Sequence, residues 1–320
     1  MTFRRKDLLG LAGLSVGELV DLLDRAESHF EAAAGPAAGT TSPAAECLSV
    51  VNLFLEPSTR TRCSFELAEL RLGIEHISID GERLSLEKGE TVVDTARVLA
   101  AMGVNVIVLR HPEDLAPTVT AEALPGVHVV NAGDGSNEHP TQGLLDLLTL
   151  RRFWGGEIEG REVVMVGDVS HSRVVRSNYH GLTTLGARVT LCGPGHLLPE
   201  PEAFPGALLT DDLDSVLDGA DAVMALRIQR ERFGIGEEVP DFSTYRARFG
   251  ITAERAARLR DDVPLLHPGP MNRGVEMDGE VADGVRALVL RQVTAGVAVR
   301  MAVLAALAES HAGTTAGPAR

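Results

Sequence analysis

The chain has 320 residues, enough for two domains of ordinary size and a sizeable buried core. Apolar residues make up 44% and charged residues 23%, the balance of a globular protein, which excludes disorder of the whole chain. The formal net charge of −15 excludes a general nucleic-acid or anionic-membrane surface, because such partners are held by phosphate neutralisation; an anionic ligand has to be gathered by a local basic pocket.

Cys47, Cys63 and Cys192 stand singly, without zinc-site spacing or the even count of a disulfide framework, and read as reduced, semi-buried thiols. No run of about 18 uninterrupted apolar residues occurs, and MTFRRKDLLGL lacks the apolar segment of a signal peptide. A soluble cytoplasmic protein is expected.

In chain order, residues 15–30 (SVGELVDLLDRAESHF) open with Ser15 and Glu18 at capping-box spacing and put Leu19, Leu22, Leu23 and Ala26 on one helical face. Residues 32–46 are small and turn-rich, a surface loop. CLSVVNLFLE follows as a buried strand. A helix from about Ser58 to Leu72, with Phe65, Ala68 and Leu72 at helical spacing, is ended by Gly73. HISID reads as a strand, TVVDTARVLAAMG as a helix, and VNVIVLRH and GVHVVNAG as strands, an alternation that implies a parallel sheet. After residue 148 the pattern restarts: REVVMVGDV as a strand, RVVRSNYHGLTTLG as a helix, ARVTLCGP as a strand, DDLDSVLDGA as a short helix, ADAVMALRIQ as a strand, and TAERAARLRDDVPLLHPGP as a helix leading into a strand and loop. A last apolar helix spans roughly Val289 to Ala308, with a frayed HAGTTAGPAR beyond. No fixed short repeat is present.

The stretch FLEPSTRTRCSFE, residues 54–66, concentrates hydrogen-bond donors where a strand turns into a helix. A helix start presents unbonded N–H groups and the positive end of its dipole, both suited to an anion. Ser58, Thr59 and Thr61 add hydroxyls, and Arg60 adds a planar guanidinium able to hold two phosphate oxygens. The competing reading makes Ser58 a plain N-cap and Arg60 and Arg62 solvated charges.

Two motifs turn the balance toward the anion site. STRTR with FxE before it and SFE after it resembles the carbamoyl-phosphate signature of the transcarbamylases, the aspartate and ornithine carbamoyltransferases. NAGDGSNEHPTQGLLDLLT, residues 131–149, resembles that family's second signature. The resemblance runs in order over nearly the whole chain. SLEKGETVVDT (85–95), VLRHP (108–112), VGDVSHSRVVRS (166–177), LRIQRER (226–232) and HPGPMNRGVE (267–276) are similar to the aspartate branch, whereas the ornithine branch's cysteine-bearing HCLP loop and D-x-x-x-S-M-G stretch are absent.

The resemblance implies transfer of the carbamoyl group of carbamoyl phosphate to the amine of L-aspartate, a step of pyrimidine biosynthesis giving N-carbamoyl-L-aspartate and phosphate. It also implies a role for each matching residue. Ser58, Thr59, Arg60 and Thr61 bind the phosphoryl oxygens, with Arg110 and with Lys88 and Ser85 lent by an adjacent subunit. Thr61, Arg110 and His139 donate to the carbonyl oxygen as charge grows on it. Gln142 and the carbonyls of Pro268 and Gly269 hold the carbamoyl nitrogen, while Arg173, Arg227 and Gln229 clamp the aspartate carboxylates. Arg60, Thr61, Arg110 and His139 form the catalytic set. Amine attack on the carbonyl requires no covalent nucleophile, metal or organic cofactor. A cleft lined by Arg60, Lys88, Arg110, Arg173 and Arg227 suits two dianions, whereas ornithine would want a carboxylate opposite its cation.

Some positions depart from the pattern. Glu138 stands where a glutamine is familiar and adds a negative charge near an anion site. Gly269 replaces a larger apolar residue. Glu56 is expected to pair with Arg173 or Arg232. A lone histidine before proline, such as His139, has a structural alternative; its place at a strand end and Gln142 three residues on favour function. VMVGDVSHSR lacks the G-x-G-x-x-G spacing of a dinucleotide turn. The architecture expected is α/β, with two domains, each a parallel β-sheet flanked by helices. A carbamoyl-phosphate domain (1–148) is rejoined by a C-terminal helix (about 290–310), an aspartate domain comprises 149–289, and a cleft lies between them. Sites shared between chains imply a homotrimer, the smallest closed head-to-tail ring. Whether regulatory chains or dihydroorotase join it is left open.

Overall fold

A computed structural model describes residues 2–35, 45–81, 89–229 and 240–315. The chain divides into two compact units, Met1–Leu148 with Thr294–Arg320, and Thr149–Val293.

In the first unit, helices and strands alternate: α1 (Val16–Ala34), β1 (Ser49–Phe54), α2 (Thr59–Leu72), β2 (Glu75–Asp80), α3 (Val92–Ala101), β3 (Val106–His111), α4 (Ala116–Ala123), β4 (His128–Asp134) and α5 (Pro140–Phe153), which runs on into the second unit. The capping box at Ser15 and Glu18 forms as expected, and Gly73 closes α2 in the left-handed region. The strands form a parallel sheet in the order β2-β1-β3-β4. Val51, Leu53, Ile107, Leu109 and Val129 fill the core beside it. Central strands covered on both faces read as continuous apolar runs, which made them legible in the sequence.

Helix α4 was not anticipated. It starts at Leu115, whose φ is 63°, with no side-chain cap and a proline in its first turn, so no start signal is written locally. Its entry is fixed instead by a distant group, the Asp134 carboxylate, which accepts the Leu115 N–H at 2.8 Å.

The second unit holds β5 (Glu162–Val166), α6 (Arg173–Thr184), β6 (Arg188–Cys192), β7 (Leu208–Thr210), β8 (Ala222–Ala225), α7 (Phe242–Phe249), α8 (Ala253–Arg258), β9 (Leu265–Leu266) and α9 (Gly279–Ala282). The C-terminal helix α10 (Val289–Thr315) begins there and continues into the first unit. The sheet is again parallel, in the order β7-β6-β5-β8-β9. The short helix expected in DDLDSVLDGA shrinks to one 3₁₀ turn, Leu217–Gly219. Asp212 and Ser215 hydrogen-bond each other's backbone locally, and Asp214 reaches out to Arg255 and Arg258, so polar side chains compete with the helix ladder.

Helix α10 does not fray at residue 311. It continues to Thr315, and the His311 ring sits edge-on to His128 at 5.5 Å. It packs back on the first unit, where Glu309 pairs with Arg25 of α1 at 2.8 Å. By length and composition α10 could cross a membrane, but 72% of its most apolar stretch is buried, as in a core helix. Of the cysteines expected to be semi-buried, Cys192 is buried whereas Cys47 and Cys63 are exposed.

Candidate active site

In each sheet the connections leave two neighbouring strands in opposite directions: β1 and β3 in the first unit, β5 and β8 in the second. Ligands of open α/β sheets bind beyond the carboxyl ends of strands at such a reversal. The sequence candidates in the described residues cluster at those ends.

In the first unit, β1 ends at Phe54 and the chain enters α2 through Ser58, which occupies the N-cap position. Its hydroxyl makes no cap hydrogen bond, so the plain-cap reading of Ser58 does not hold. Thr59 and Arg60 are exposed on the first turn, Thr61 is buried, and Arg62 pairs with Asp80 at 2.6 Å. Arg110 lies near the end of β3, in register with Phe54, and is 7% exposed. It donates through Nη1 to the Ala132 carbonyl of β4 and through Nη2 to Glu56, both at 3.1 Å. Glu56 thus pairs within its own unit with Arg110; Arg232, one of its expected partners, lies outside the described residues.

Beyond β4, His139 is 4% exposed, and its Nε2 lies 3.5 Å from Thr61 Oγ1. The two signatures, 78 residues apart, therefore converge. Local geometry explains how. Buried Asp134 accepts from Asn131, Glu138 N–H, Leu115 N–H and Asn137, tying the NAGDGSNEHP turn to itself and to the start of α4. Gly135 has φ +41°, and a Cβ there would run into Asp114, so this turn requires glycine. Gln142, in the first turn of α5, donates through Nε2 to Asp146 at 3.0 Å. Glu138 is 5% exposed, and its carboxylate accepts Leu11 N–H at 2.7 Å and Ala12 N–H at 3.1 Å. It fastens the N-terminal segment. Ser85 and Lys88 lie outside the described residues.

In the second unit, three loops carry the candidates. Arg173, 5% exposed, is the first residue of α6, whose N-cap Ser172 accepts the Val175 N–H. Arg227 and Gln229 follow β8, and the Gln229 amide reaches the His171 carbonyl at 3.5 Å. Pro268 and Gly269 follow β9; the Gly269 N–H donates to His267 Nδ1 at 2.8 Å, and the His267 N–H donates to Gln292 Oε1 at 3.0 Å. Gly269 has φ +66°, which accounts for glycine in place of a bulkier residue.

Sequence reading missed Glu276. Fully buried, it accepts the Ile228 N–H at 3.1 Å, the Asn272 N–H at 2.6 Å and the Asn272 amide at 2.7 Å. It therefore joins the loop of Arg227 and Gln229 to the loop of Pro268 and Gly269. Its only signal in the sequence is its place at the end of HPGPMNRGVE. No group of three or more potential metal ligands occurs among the described residues.

Residues 6–152 match the family described as aspartate/ornithine carbamoyltransferase, carbamoyl-P binding domain, and residues 159–307 match aspartate/ornithine carbamoyltransferase, Asp/Orn binding domain. The chain belongs to the aspartate/ornithine carbamoyltransferase family. A curated relative, the aspartate carbamoyltransferase catalytic subunit of Stenotrophomonas maltophilia, is 51% identical over 306 residues, covering 95% of this chain and 96% of its own. The catalytic subunit of aspartate transcarbamoylase from M. jannaschii superposes with a TM-score of 0.80 at 34% identity, covering 97% of this chain and all of that one. Ornithine carbamoyltransferase from Thermus thermophilus superposes equally well, with a TM-score of 0.82 at 28% identity over 96% of this chain and all of that one. Membership of this carbamoyltransferase family is thus plain, while the backbone alone does not choose between its two acceptors.

Proposed function

We infer that the chain transfers the carbamoyl group of carbamoyl phosphate to the amine of L-aspartate, giving N-carbamoyl-L-aspartate and phosphate in pyrimidine biosynthesis. One observation carries the reading: Thr61 and His139 meet at 3.5 Å where the hydroxyl-rich start of α2 leaves β1, with Arg110 bonded to β4 and to Glu56 at the same sheet end. Those donors suit a phosphate and a carbonyl oxygen whose negative charge grows in the transition state.

Ser58, Thr59, Arg60 and Thr61 hold the phosphoryl oxygens, with Arg110. Thr61, Arg110 and His139 donate to the carbonyl oxygen, and Gln142 with the carbonyls of Pro268 and Gly269 binds the carbamoyl nitrogen. Arg173, Arg227 and Gln229 take the two aspartate carboxylates. The amine nitrogen attacks the carbonyl carbon, the bond to the phosphate oxygen breaks, and the amine proton leaves with the phosphate as acceptor. The arginines on the second unit's loops, and half identity to a curated aspartate enzyme, favour aspartate over ornithine.

Ser85 and Lys88, supplied by a neighbouring chain, complete the site in a cytoplasmic homotrimer. Exposed Leu67 and Leu70 on α2 and Ile77 on edge strand β2 support an oligomer, since such apolar surface marks contact faces. The relative's name, a catalytic subunit, leaves room for additional chains.

Purified protein with saturating carbamoyl phosphate is expected to release phosphate with aspartate and not with ornithine; carbamoylation of ornithine alone overturns the assignment. Mixing inactive Arg60→Ala chains with inactive Lys88→Ala chains is expected to restore activity, and no recovery overturns the shared site.

A further inference from the structure

The carboxylate that meets Gln142 has no task in the reaction outlined above. Asp146 lies four residues on, on the same face of α5, and is fully buried; Gln142 is 9% exposed. Their hydrogen bond, Nε2 to Oδ1 at 3.0 Å, allows one polarity only, because an ionised carboxylate accepts and never donates. The amide NH₂ must face Asp146. The carbonyl Oε1 is then the end left for a ligand.

A buried carboxylate needs a cation to stay ionised. Arg300 of α10, 2% exposed, supplies it: burial pushes the guanidinium down to about 9 and the nearby Asp146 carboxylate opposes that shift, so the guanidinium keeps its charge at neutral pH. Arg300 is itself fixed. Its Nη1 donates to the Gly296 carbonyl at 2.8 Å, and its guanidinium lies over the Phe65 ring at 4.9 Å. A Cβ on residue 296 would come within 2.7 Å of that Nη1, so glycine makes the space.

We propose that Asp146 is a positioning and specificity-determining residue: by fixing which end of the Gln142 amide faces the acyl group, it makes the site select an acyl phosphate bearing an NH₂ over its methyl isostere. The proposal deepens the proposed function and rests on Gln142 binding the carbamoyl nitrogen. A carbamoyl group donates to Oε1. An acetyl group of the same shape cannot, and leaves a buried acceptor unmet, the situation in which a hydrogen-bonding site discriminates strongly. Asn at position 146 could donate as well as accept, so the amide of Gln142 would lose its fixed direction.

The test compares kcat/KM for carbamoyl phosphate and acetyl phosphate, with aspartate as acceptor, in the full-length wild type, Asp146→Asn, Asp146→Glu and Gln142→Met. Asp146→Asn is expected to lower the carbamoyl-over-acetyl ratio at least about tenfold, toward that of Gln142→Met, with the KM for aspartate little changed. Asp146→Glu, which keeps the acceptor-only partner, is expected to keep the preference at a lower rate. An unchanged ratio in Asp146→Asn overturns the proposal. If that variant does not fold, Asp146→Glu decides: a retained preference supports it, and a ratio fallen to that of Gln142→Met overturns it. Failure of the functional reading would show separately, as a wild type that carbamoylates no aspartate.

Discussion

The carboxyl ends of the two sheets are built differently, although both are parallel and both reverse direction between neighbouring strands. In the first unit the candidate side chains stand at the ends of long, regular elements and meet one another: Thr61 with His139, Arg110 with Glu56. In the second, Arg173 opens α6, but the other candidates ride on irregular loops after strands of four and two residues, β8 and β9, and Glu276 and His267 hold those loops from beneath. A phosphate bound at a helix start needs rigid donors in fixed directions. A flexible dicarboxylate acceptor is served by loops whose spacing one buried carboxylate sets. The first end is thus held by contacts among the candidate groups themselves, the second by a buried carboxylate bonded to Ile228 and Asn272.

The largest effect should come from breaking the first end. His139→Ala and Thr61→Ala are each expected to lower kcat about 10²- to 10³-fold, the cost of one donor to a developing oxyanion, with the KM for aspartate moving little. Steady-state kinetics with both substrates varied separates the two parameters. A His139→Ala enzyme with near-normal kcat would mean that the Thr61 contact is architectural.

Next is the anchoring of α2 itself. Glu69, fully buried on that helix, accepts from Asn52 of β1 at 2.8 Å, with His76 Nδ1 at 3.6 Å. Burial pushes its carboxyl up to about 7 from 4.5, the Asn52 hydrogen bond only partly offsetting this. The folded state therefore holds the proton more tightly than the unfolded chain between those values. Stability is lost as pH rises from about 4.5 to about 7 and is then level, by on the order of 3 kcal/mol at most. Glu69→Gln carries no such proton, so its urea midpoints at pH 5, 6 and 7 should lie closer together than those of the wild type. Equal slopes would show that Glu69 is ionised in the folded protein.

The second end should respond more gently. Glu276→Ala removes the acceptor of two backbone N–H groups, and each such orphan costs about 1–3 kcal/mol. The loss is expected in kcat/KM for aspartate, about 10- to 100-fold, with the KM for carbamoyl phosphate far less affected. Equal losses in both substrates would erase the contrast between the two ends.

That contrast also explains what could be read in advance. STRTR and HPTQ were legible as family signatures because each packs particular residue types at tight spacing, and Thr61 and His139 from the two of them meet in the fold. The central strands of the parallel sheets were legible because buried strands are largely apolar; β7, three residues at an edge, was not read. Helix α4 was not, since its start is set by Asp134 across the fold, and neither was the true partner of Glu138, since a carboxylate beside an anion motif looks like part of it until the N-terminal segment is seen to lie against it. Glu276 and Asp146 escaped for the same reason. A residue that acts by holding another carries no local spacing signal; its evidence lies in its contacts.

The smallest effect is the sharpest test of the helix start. Ser15 and Thr91 cap α1 and α3 through their side chains, each in a capping box, whereas Ser58, in the same position on α2, does not. Replacing a working cap by alanine costs typically about 1 kcal/mol. Ser15→Ala and Thr91→Ala should therefore each lower the unfolding free energy by about that amount, while Ser58→Ala should change it by less than about 0.5 kcal/mol. If the idle hydroxyl is reserved for phosphate, Ser58→Ala should instead raise the KM for carbamoyl phosphate, with stability nearly untouched. A Ser58→Ala protein as destabilised as Ser15→Ala, with an unaltered KM, would return Ser58 to the role of an ordinary cap and remove one donor from the anion site.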